Sequence, residues 1–149
     1  MSAPLPVFRE PTPIEKLINR SFGYLVGLGV GPAHMHLLQV RGRKSGKIFS
    51  TPVDLLEISG KRYLVAPRGR TQWVRNAEAA GEITLKRGSQ LQRFRLRAMN
   101  NTEKLPILKA YLDRFKKEVQ RYFPIPAGSP PQAFAEVAES YPAFELLSA

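Results

Sequence analysis

The chain has 149 residues, with 23 lysines and arginines against 12 acidic residues, and therefore a formal charge of +11. This length suits one domain over residues 1–149, with 1–11 as a flexible arm, and the charge favours an anionic partner: nucleic acid, a membrane surface or a polyanionic small molecule. The absence of cysteine excludes a disulfide framework, a thiolate nucleophile and a cysteine-ligated metal site.

No basic segment followed by an apolar core opens the chain, so the expected location is cytoplasmic. The most apolar run, residues 22–33, contains glycines and Pro32 and is shorter than the roughly 20 residues that span a bilayer. We therefore expect no transmembrane segment. A basic amphipathic helix near the N-terminus leaves peripheral membrane contact open.

The predicted elements alternate between helices and antiparallel strands. Thr12-Pro13-Ile14-Glu15 is typical of a capping box and predicts a helix that glycines end after residue 26. Apolar runs and turn residues then predict, in chain order, strands over 34–41, 48–58 and 61–66, a helix over 73–80, a hairpin of strands over 82–87 and 90–99, helices over 101–119 and 133–140, and a strand over 143–147. The fold class is α+β, with a mostly antiparallel sheet that curls into a barrel.

Two patterns invite a functional interpretation that remains open at this point. Arg93, Arg95 and Arg97 alternate with apolar residues, which predicts a strand with one cationic face that is either solvated or phosphate-binding. His34 and His36 point to one face of a strand, but no acidic residue is near them in sequence, so we expect no metal site.

The densest positive charge lies in a turn between two predicted strands. Gly42-Arg43-Lys44-Ser45-Gly46-Lys47 combines two glycines with three cations, which suits either a phosphate or carboxylate site or a solvated hairpin tip. A nucleotide P-loop is excluded, because only three residues separate the glycines and Ile48 follows the last lysine. A dinucleotide fingerprint is excluded too, because the turn does not open into a helix.

Several separated motifs together resemble the deazaflavin-dependent nitroreductase family. They are the run 40–47 followed by Thr51-Pro52-Val53, the run 63–69, Trp73 with Asn76, and the tail segments 122–130 and 141–144. The resemblance implies a split β-barrel, related to the barrel that binds flavin mononucleotide (FMN), with flanking helices. It also implies binding of coenzyme F420.

The resemblance further implies a set of cofactor-binding residues. The basic turn would hold the phosphate and tail carboxylates, residues 51–53 would border the deazaflavin ring, and a cation and an aromatic residue would follow the third strand. The implied residues are Gly42, Arg43, Lys44, Ser45, Gly46, Lys47, Thr51, Pro52, Val53, Ala66, Arg68, Arg70, Trp73 and Asn76.

The chain departs from the family pattern at the helix after Trp73, where it has Val74 and Arg75 and lacks Asn-Pro before the next strand. This departure concerns the substrate pocket more than the phosphate site. No proton donor can be assigned from the resemblance. Tyr63 and Tyr141 are candidates because phenols can protonate a developing anion.

The leading hypothesis is an oxidoreductase that passes a hydride from reduced F420 to a small-molecule acceptor: an activated alkene, a quinone or a nitro compound. One alternative is an FMN-binding split-barrel reductase. A second alternative is a small basic barrel that binds nucleic acid, although the arginine face of its strand has no aromatic residue for base stacking. A third is a non-enzymatic protein that binds a cofactor or a lipid. The expected assembly is a monomer or a homodimer.

Overall fold

The computed structural model describes residues 33–149, so the predicted N-terminal arm and first helix lie outside the described residues. The strands are β1 (Met35–Arg41), β2 (Ile48–Asp54), β3 (Leu56–Ile58), β4 (Lys61–Val65), β5 (Glu82–Arg87), β6 (Gln90–Ala98) and β7 (Ala143–Ser148). The α-helices are α1 (Gln72–Ala80), α2 (Asn101–Arg114) and α3 (Lys116–Val119). Short 3₁₀ turns cover Gln120–Tyr122, Pro131–Phe134 and Ala138–Ser140.

The seven strands form one antiparallel sheet in the order β2-β1-β5-β6-β7-β4-β3. Its two outer strands, β2 and β3, are consecutive in the chain and are joined by Leu55 alone. Because a single residue connects opposite edges, the sheet has to curl until those edges meet at this corner. The predicted α+β class with a curled antiparallel split barrel is confirmed.

The prediction of one continuous strand over 48–58 was wrong. The strand breaks at Leu55, which is buried and whose backbone N–H donates to the carbonyl oxygen of His34 over 2.8 Å. Before the break β2 pairs with β1, and after it β3 pairs with β4. The chain changes partners at the barrel corner, and no Gly or Pro at position 55 signals the change.

The predicted helix over 101–119 is interrupted near its end. Asn100 caps its start, accepting a hydrogen bond from the Glu103 amide over 2.8 Å while the Glu103 carboxylate accepts from the Asn100 amide over 2.9 Å. Phe115 leaves the helical conformation, with φ −111° and ψ 27°, and separates α2 from α3. Its ring is buried in the core, so the apolar stripe continues across the break.

The predicted helix over 133–140 was wrong. Pro131–Phe134 and Ala138–Ser140 form two short 3₁₀ turns, and the Ser129 hydroxyl donates to the Pro126 carbonyl oxygen over 2.7 Å instead of capping a helix. Pro130 and Pro131 remove two backbone donors. The buried residues Phe134 and Val137 recur at the three-residue period of a 3₁₀ helix.

A small apolar cluster of Ala66, Val74 and Phe144 packs against Trp73, and two larger apolar clusters fill the rest of the described protein. One occupies the barrel interior and includes Leu38, Ile83 and Phe94. The other lies between the sheet and α2 and includes Tyr111 and Phe134. Within residues 33–149 no helix is long and apolar enough to cross a bilayer.

Candidate active site

A cavity of about 1070 Å³ lies between β2, the loop from β4 to α1, and the segment 117–122 that follows α2. The structure brings most of the predicted cofactor residues to its walls. Those that line it are Gly42, Arg43, Lys44, Ser45, Thr51, Pro52, Val53, Ala66, Arg68, Trp73 and Asn76. Gly46, Lys47 and Arg70 do not line it.

Gly42 and Gly46 shape the basic turn, which we define as residues 42–47. The Gly42 amide donates to the Lys47 carbonyl oxygen over 2.6 Å, and the Gly46 amide donates to the Gly42 carbonyl oxygen over 3.0 Å. A side chain at position 42 would place its Cβ 2.5 Å from Cε2 of Phe49, and Gly46 has a φ of +75° that favours glycine. Glycine is therefore favoured at position 46 by the backbone itself, whereas a side chain at position 42 would displace the half-exposed Phe49 ring.

Arg43 is held in place without being neutralised. Its guanidinium donates to Oε1 of Gln72 over 3.0 Å and to Oδ1 of Asn76 over 2.7 Å, and its backbone amide donates to the same Asn76 oxygen over 3.1 Å. Both acceptors are neutral amides from α1, and Asn76 is only 4% exposed. Lys44 has no carboxylate within ion-pair distance among residues 33–149. Within residues 33–149 the turn therefore presents an oriented positive charge without an acidic partner to the cavity.

Several other cations of the described chain are paired with carboxylates. Arg70 pairs with Glu78, and Arg97 contacts Glu103 and Glu145, each over 2.9 Å. Arg93 lies 3.3 Å from the Glu82 carboxylate, while Arg95 donates to a backbone oxygen. The arginine face of β6 is thus largely neutralised at the surface, unlike the basic turn.

One stretch of the cavity wall is apolar. Val65 and Ala66 of the core, together with Pro52, Val53 and Trp73, provide a wall without charged groups. The Trp73 ring is itself packed against Phe144, with 6.1 Å between ring centroids, which limits its motion. Such a wall suits a flat, largely neutral ring system.

Part of the cavity comes from residues that the sequence analysis did not identify. Tyr111 of α2 lines it, and so do the residues just beyond the helix: Lys117, Glu118, Val119, Arg121 and Tyr122. They lie more than 60 positions from the basic turn, and only the packing of α2 against the sheet brings them to it. The repeated apolar spacing of α2 predicted a buried face but not a cavity beside it.

Asp54, at the end of β2, was also missed and also lines the cavity. Its Oδ1 lies 3.3 Å from Nε2 of His34, whose ring is within 3.9 Å of the Glu118 carboxylate. Burial, and next the charge of Glu118, raise the pKa of Asp54 to about 7, whereas burial lowers the pKa of His34. The pairing of β1 with β2 places an acidic group beside His34 that is 20 residues away in sequence. Within residues 33–149 no three His, Cys, Asp or Glu side chains are arranged to hold a metal ion.

Neither tyrosine named as a candidate proton donor lines the cavity. Tyr63 is buried in the core between the sheet and α2. Tyr141 is also buried there, donates its hydroxyl hydrogen to the Tyr122 carbonyl oxygen, and has a pKa raised by burial. Two other tyrosines do line the cavity, Tyr111 and Tyr122. The pKa of Tyr111 is raised by burial and then by Asp54 and Glu118.

The fold and the site together define a small split-barrel protein that binds an anionic, ring-containing ligand. Residues 14–123 match the sequence profile of the F420H(2)-dependent quinone reductase family, so the chain belongs to that family. It is therefore an F420-dependent reductase, and coenzyme F420 is its cofactor. The recognition of a deazaflavin-dependent family from the sequence motifs is confirmed.

Solved structures share the fold at low sequence identity. An F420-H2 dependent reductase is 20% identical with a TM-score of 0.53, over 78% of this chain and 96% of its own. A protein of unknown function from Agrobacterium tumefaciens is 18% identical with a TM-score of 0.54, over 99% of this chain and 58% of its own. A domain-swapped dimer is 17% identical with a TM-score of 0.54, over 91% of this chain and 99% of its own. No curated protein sequence matches the chain.

The residues of the cavity fit an F420 cofactor. A phosphodiester with a glutamate tail needs cations whose charge is not already neutralised, and Arg43 and Lys44 are such cations. A deazaflavin ring needs an apolar wall that excludes water, and the wall around Trp73 is of this kind.

Proposed function

We propose that this reductase passes a hydride to a neutral quinone, with the anionic tail of F420 at the basic turn and the ring along the apolar wall. The observation that carries the proposal is the position of Arg43, fixed by two neutral amides in the wall of a cavity that also has an apolar stretch around Trp73. The description of the family supports the quinone among the three acceptor classes considered.

The electrostatics of the cavity support the same arrangement. The cavity is lined by five cations, Arg43, Lys44, Arg68, Lys117 and Arg121, and by two acidic residues, Asp54 and Glu118. This excess of positive charge attracts the anionic tail of the cofactor. A neutral acceptor does not compete with the tail for these cations.

In this proposal the protein contributes binding, orientation and exclusion of water. Reduced F420 supplies the hydride when it is bound. Arg43 and Lys44 fix the tail, the Thr51–Val53 segment and Trp73 confine the ring, and the apolar wall keeps water from the reacting atoms. Because the tail contacts are distant from the reacting carbon, they are expected to act equally in ground and transition states.

Cofactor preference can be measured through Trp73, which is the only tryptophan of the chain and lines the cavity. We expect oxidised F420 to quench its fluorescence at lower concentration than FMN, because a polyanionic tail engages more cations than a single phosphate. Equal or reversed affinities would contradict the proposed position of the tail.

Acceptor preference is measured by the oxidation of reduced F420, followed by absorbance, with one representative of each class. Menadione, a nitroaromatic compound and cyclohexenone would be compared at equal concentrations. We expect menadione to give the highest kcat/KM. A higher value for the nitro compound or the enone would contradict the quinone assignment while leaving the cofactor assignment intact.

A further inference from the structure

Asp54 holds a carboxyl group in the cavity wall with little solvation. Its side chain is 9% exposed, and its Oδ1 is buried without a hydrogen-bond partner among residues 33–149. The residue nevertheless lines the cavity, so the carboxyl group is open to a bound ligand on one side and buried on the other. A carboxyl group in such a place is more stable when neutral.

The groups around Asp54 favour the same neutral form. Glu118, from α3, repels a negative charge on Asp54, and Tyr111, from α2, has a hydroxyl group that is itself harder to ionise near Asp54. Nε2 of His34 faces the carboxyl group at 3.3 Å but is also buried without a hydrogen bond in the described chain. Burial lowers the pKa of His34; the charge of Glu118 opposes this, and those of Arg114, Arg87 and His36 add to it. Among residues 33–149 no Lys or Arg forms an ion pair with Asp54.

The other titratable groups of this region are less suited to give a proton to a ligand. His34 does not line the cavity, and the pKa of Tyr111 lies well above its usual value. Lys117 and Glu118 line it but are exposed to solvent, and the Tyr122 hydroxyl accepts a hydrogen bond from Arg121 over 2.6 Å. Asp54 is in the cavity wall, and burial with Glu118 raises its pKa to about 7. A group with a pKa near the working pH is the most effective general acid.

We propose that Asp54 is the catalytic acid, giving its carboxyl proton to a quinone oxygen of the acceptor as the hydride is transferred. The inference rests on the proposed function. The acceptor gains two electrons with the hydride and one proton from Asp54, and becomes a hydroquinone. The Asp54 carboxylate then takes a proton from solvent, which in turn receives the proton that the cofactor loses on oxidation.

Replacing Asp54 with asparagine keeps the shape of the side chain and removes its proton. We expect Asp54→Asn to lower kcat with menadione at pH 6 by about 10²- to 10⁴-fold, the usual contribution of a general acid. The dissociation constant of F420, measured by Trp73 fluorescence, should stay within about threefold because the tail site is intact. In the parent enzyme kcat should fall as the pH rises through about 7, and this decrease should be absent from the variant.

Glu118→Gln tests the same acid without altering it. Removing the charge of Glu118 stabilises the ionised form of Asp54, so the decrease in kcat should move to lower pH. A purely structural role of Asp54 predicts no such movement. Because Glu118 is substantially exposed, this variant also keeps the test available if Asp54→Asn does not fold.

Infrared spectroscopy of the cofactor-free protein observes the proton directly. We expect a carboxylic acid C=O band that disappears as the pH rises through about 7 and that is absent from Asp54→Asn. Glu57→Gln is the matched control, since Glu57 is exposed on β3 and its removal should leave the band unchanged. A band that disappears only near pH 4 would overturn the proposal.

The kinetic outcomes distinguish the role of Asp54 from the identity of the acceptor. An Asp54→Asn enzyme that binds F420 normally and retains the kcat and pH profile of its parent would show that Asp54 is not the acid, while quinone reduction would stand. A parent enzyme that binds F420 but does not reduce menadione would overturn the quinone assignment. The variants would then be measured with the acceptor that the parent does reduce, and an unchanged kcat there would overturn the role of Asp54.

Discussion

Asp54→Asn should stabilise the folded protein at pH 8 and have little effect at pH 4. Burial raises the pKa of Asp54 from the model-compound value of 3.8 to about 7 in the folded protein, a difference of about 3 pH units. Each unit corresponds to about 1.36 kcal/mol, so the ionised carboxylate destabilises the folded state by at most about 4 kcal/mol. Water in the cavity reduces this figure, and we expect about 2–4 kcal/mol.

The pH range follows from the direction of the shift. A raised folded pKa means that the folded state holds the proton more tightly than the unfolded state, so unfolding releases a proton between about pH 4 and 7. The free energy of unfolding of the parent therefore decreases as the pH rises from about 4 to 7, and Asp54 causes no further decrease above pH 7. Asparagine resembles the protonated side chain at every pH, so the variant does not show the loss.

The measurement is urea unfolding of both proteins at pH 4.5, 6 and 8, followed by tryptophan fluorescence. The contribution of His34 is present in both chains and largely cancels in the difference between them. Glu57→Gln, which removes an exposed carboxylate, should differ from the parent by less than about 0.5 kcal/mol at each pH. A variant that is equally stabilised at all three pH values, or destabilised at pH 8, would refute the argument from burial.

Two further predictions concern the cations. Removing one charge-assisted contact costs about 1.5–3 kcal/mol, so Arg43→Gln should raise the dissociation constant of F420 roughly ten- to a hundredfold with kcat within about threefold. Arg70→Gln is its matched control, and its affinity in the same fluorescence titration should stay within about threefold, since Arg70 already pairs with Glu78 outside the cavity wall. Joint replacement of Arg93, Arg95 and Arg97 with glutamine should also leave F420 affinity unchanged. If the parent bound single-stranded DNA tightly and this triple replacement abolished that binding, reductase activity would not be the primary function.

The parts of the site that could be predicted from the sequence depend on local signals. In the basic turn, Gly42 lies against Phe49 and Gly46 has a positive φ. Both positions can be recognised in the sequence as glycines next to charged residues. The capped start of α2 and the left-handed Gly81 after α1 are equally local. Each can be inferred within a window of a few residues.

The rest of the site depends on contacts between distant segments. Asp54 comes to lie beside His34 because β1 and β2 pair in a fixed register, and the strand ends there because the next residues join the opposite edge of the sheet. Neither the corner at Leu55 nor the wall at 117–122 has a local sequence signal. The absence of an acidic residue near His34 in sequence was therefore a poor guide to its surroundings in space.

The formal charge of +11 indicates the kind of ligand only when each cation is considered together with the groups that it contacts. Arg97 is held by two carboxylates at the surface, and its charge is offset where it lies. Arg43 is held just as firmly, but by the neutral side chains of Gln72 and Asn76, so its full charge remains available to a ligand. A face that binds nucleic acid would need uncompensated cations along its length, whereas here the described chain directs an uncompensated pair into a cavity. The charge distribution therefore favours a polyanionic cofactor over a nucleic acid.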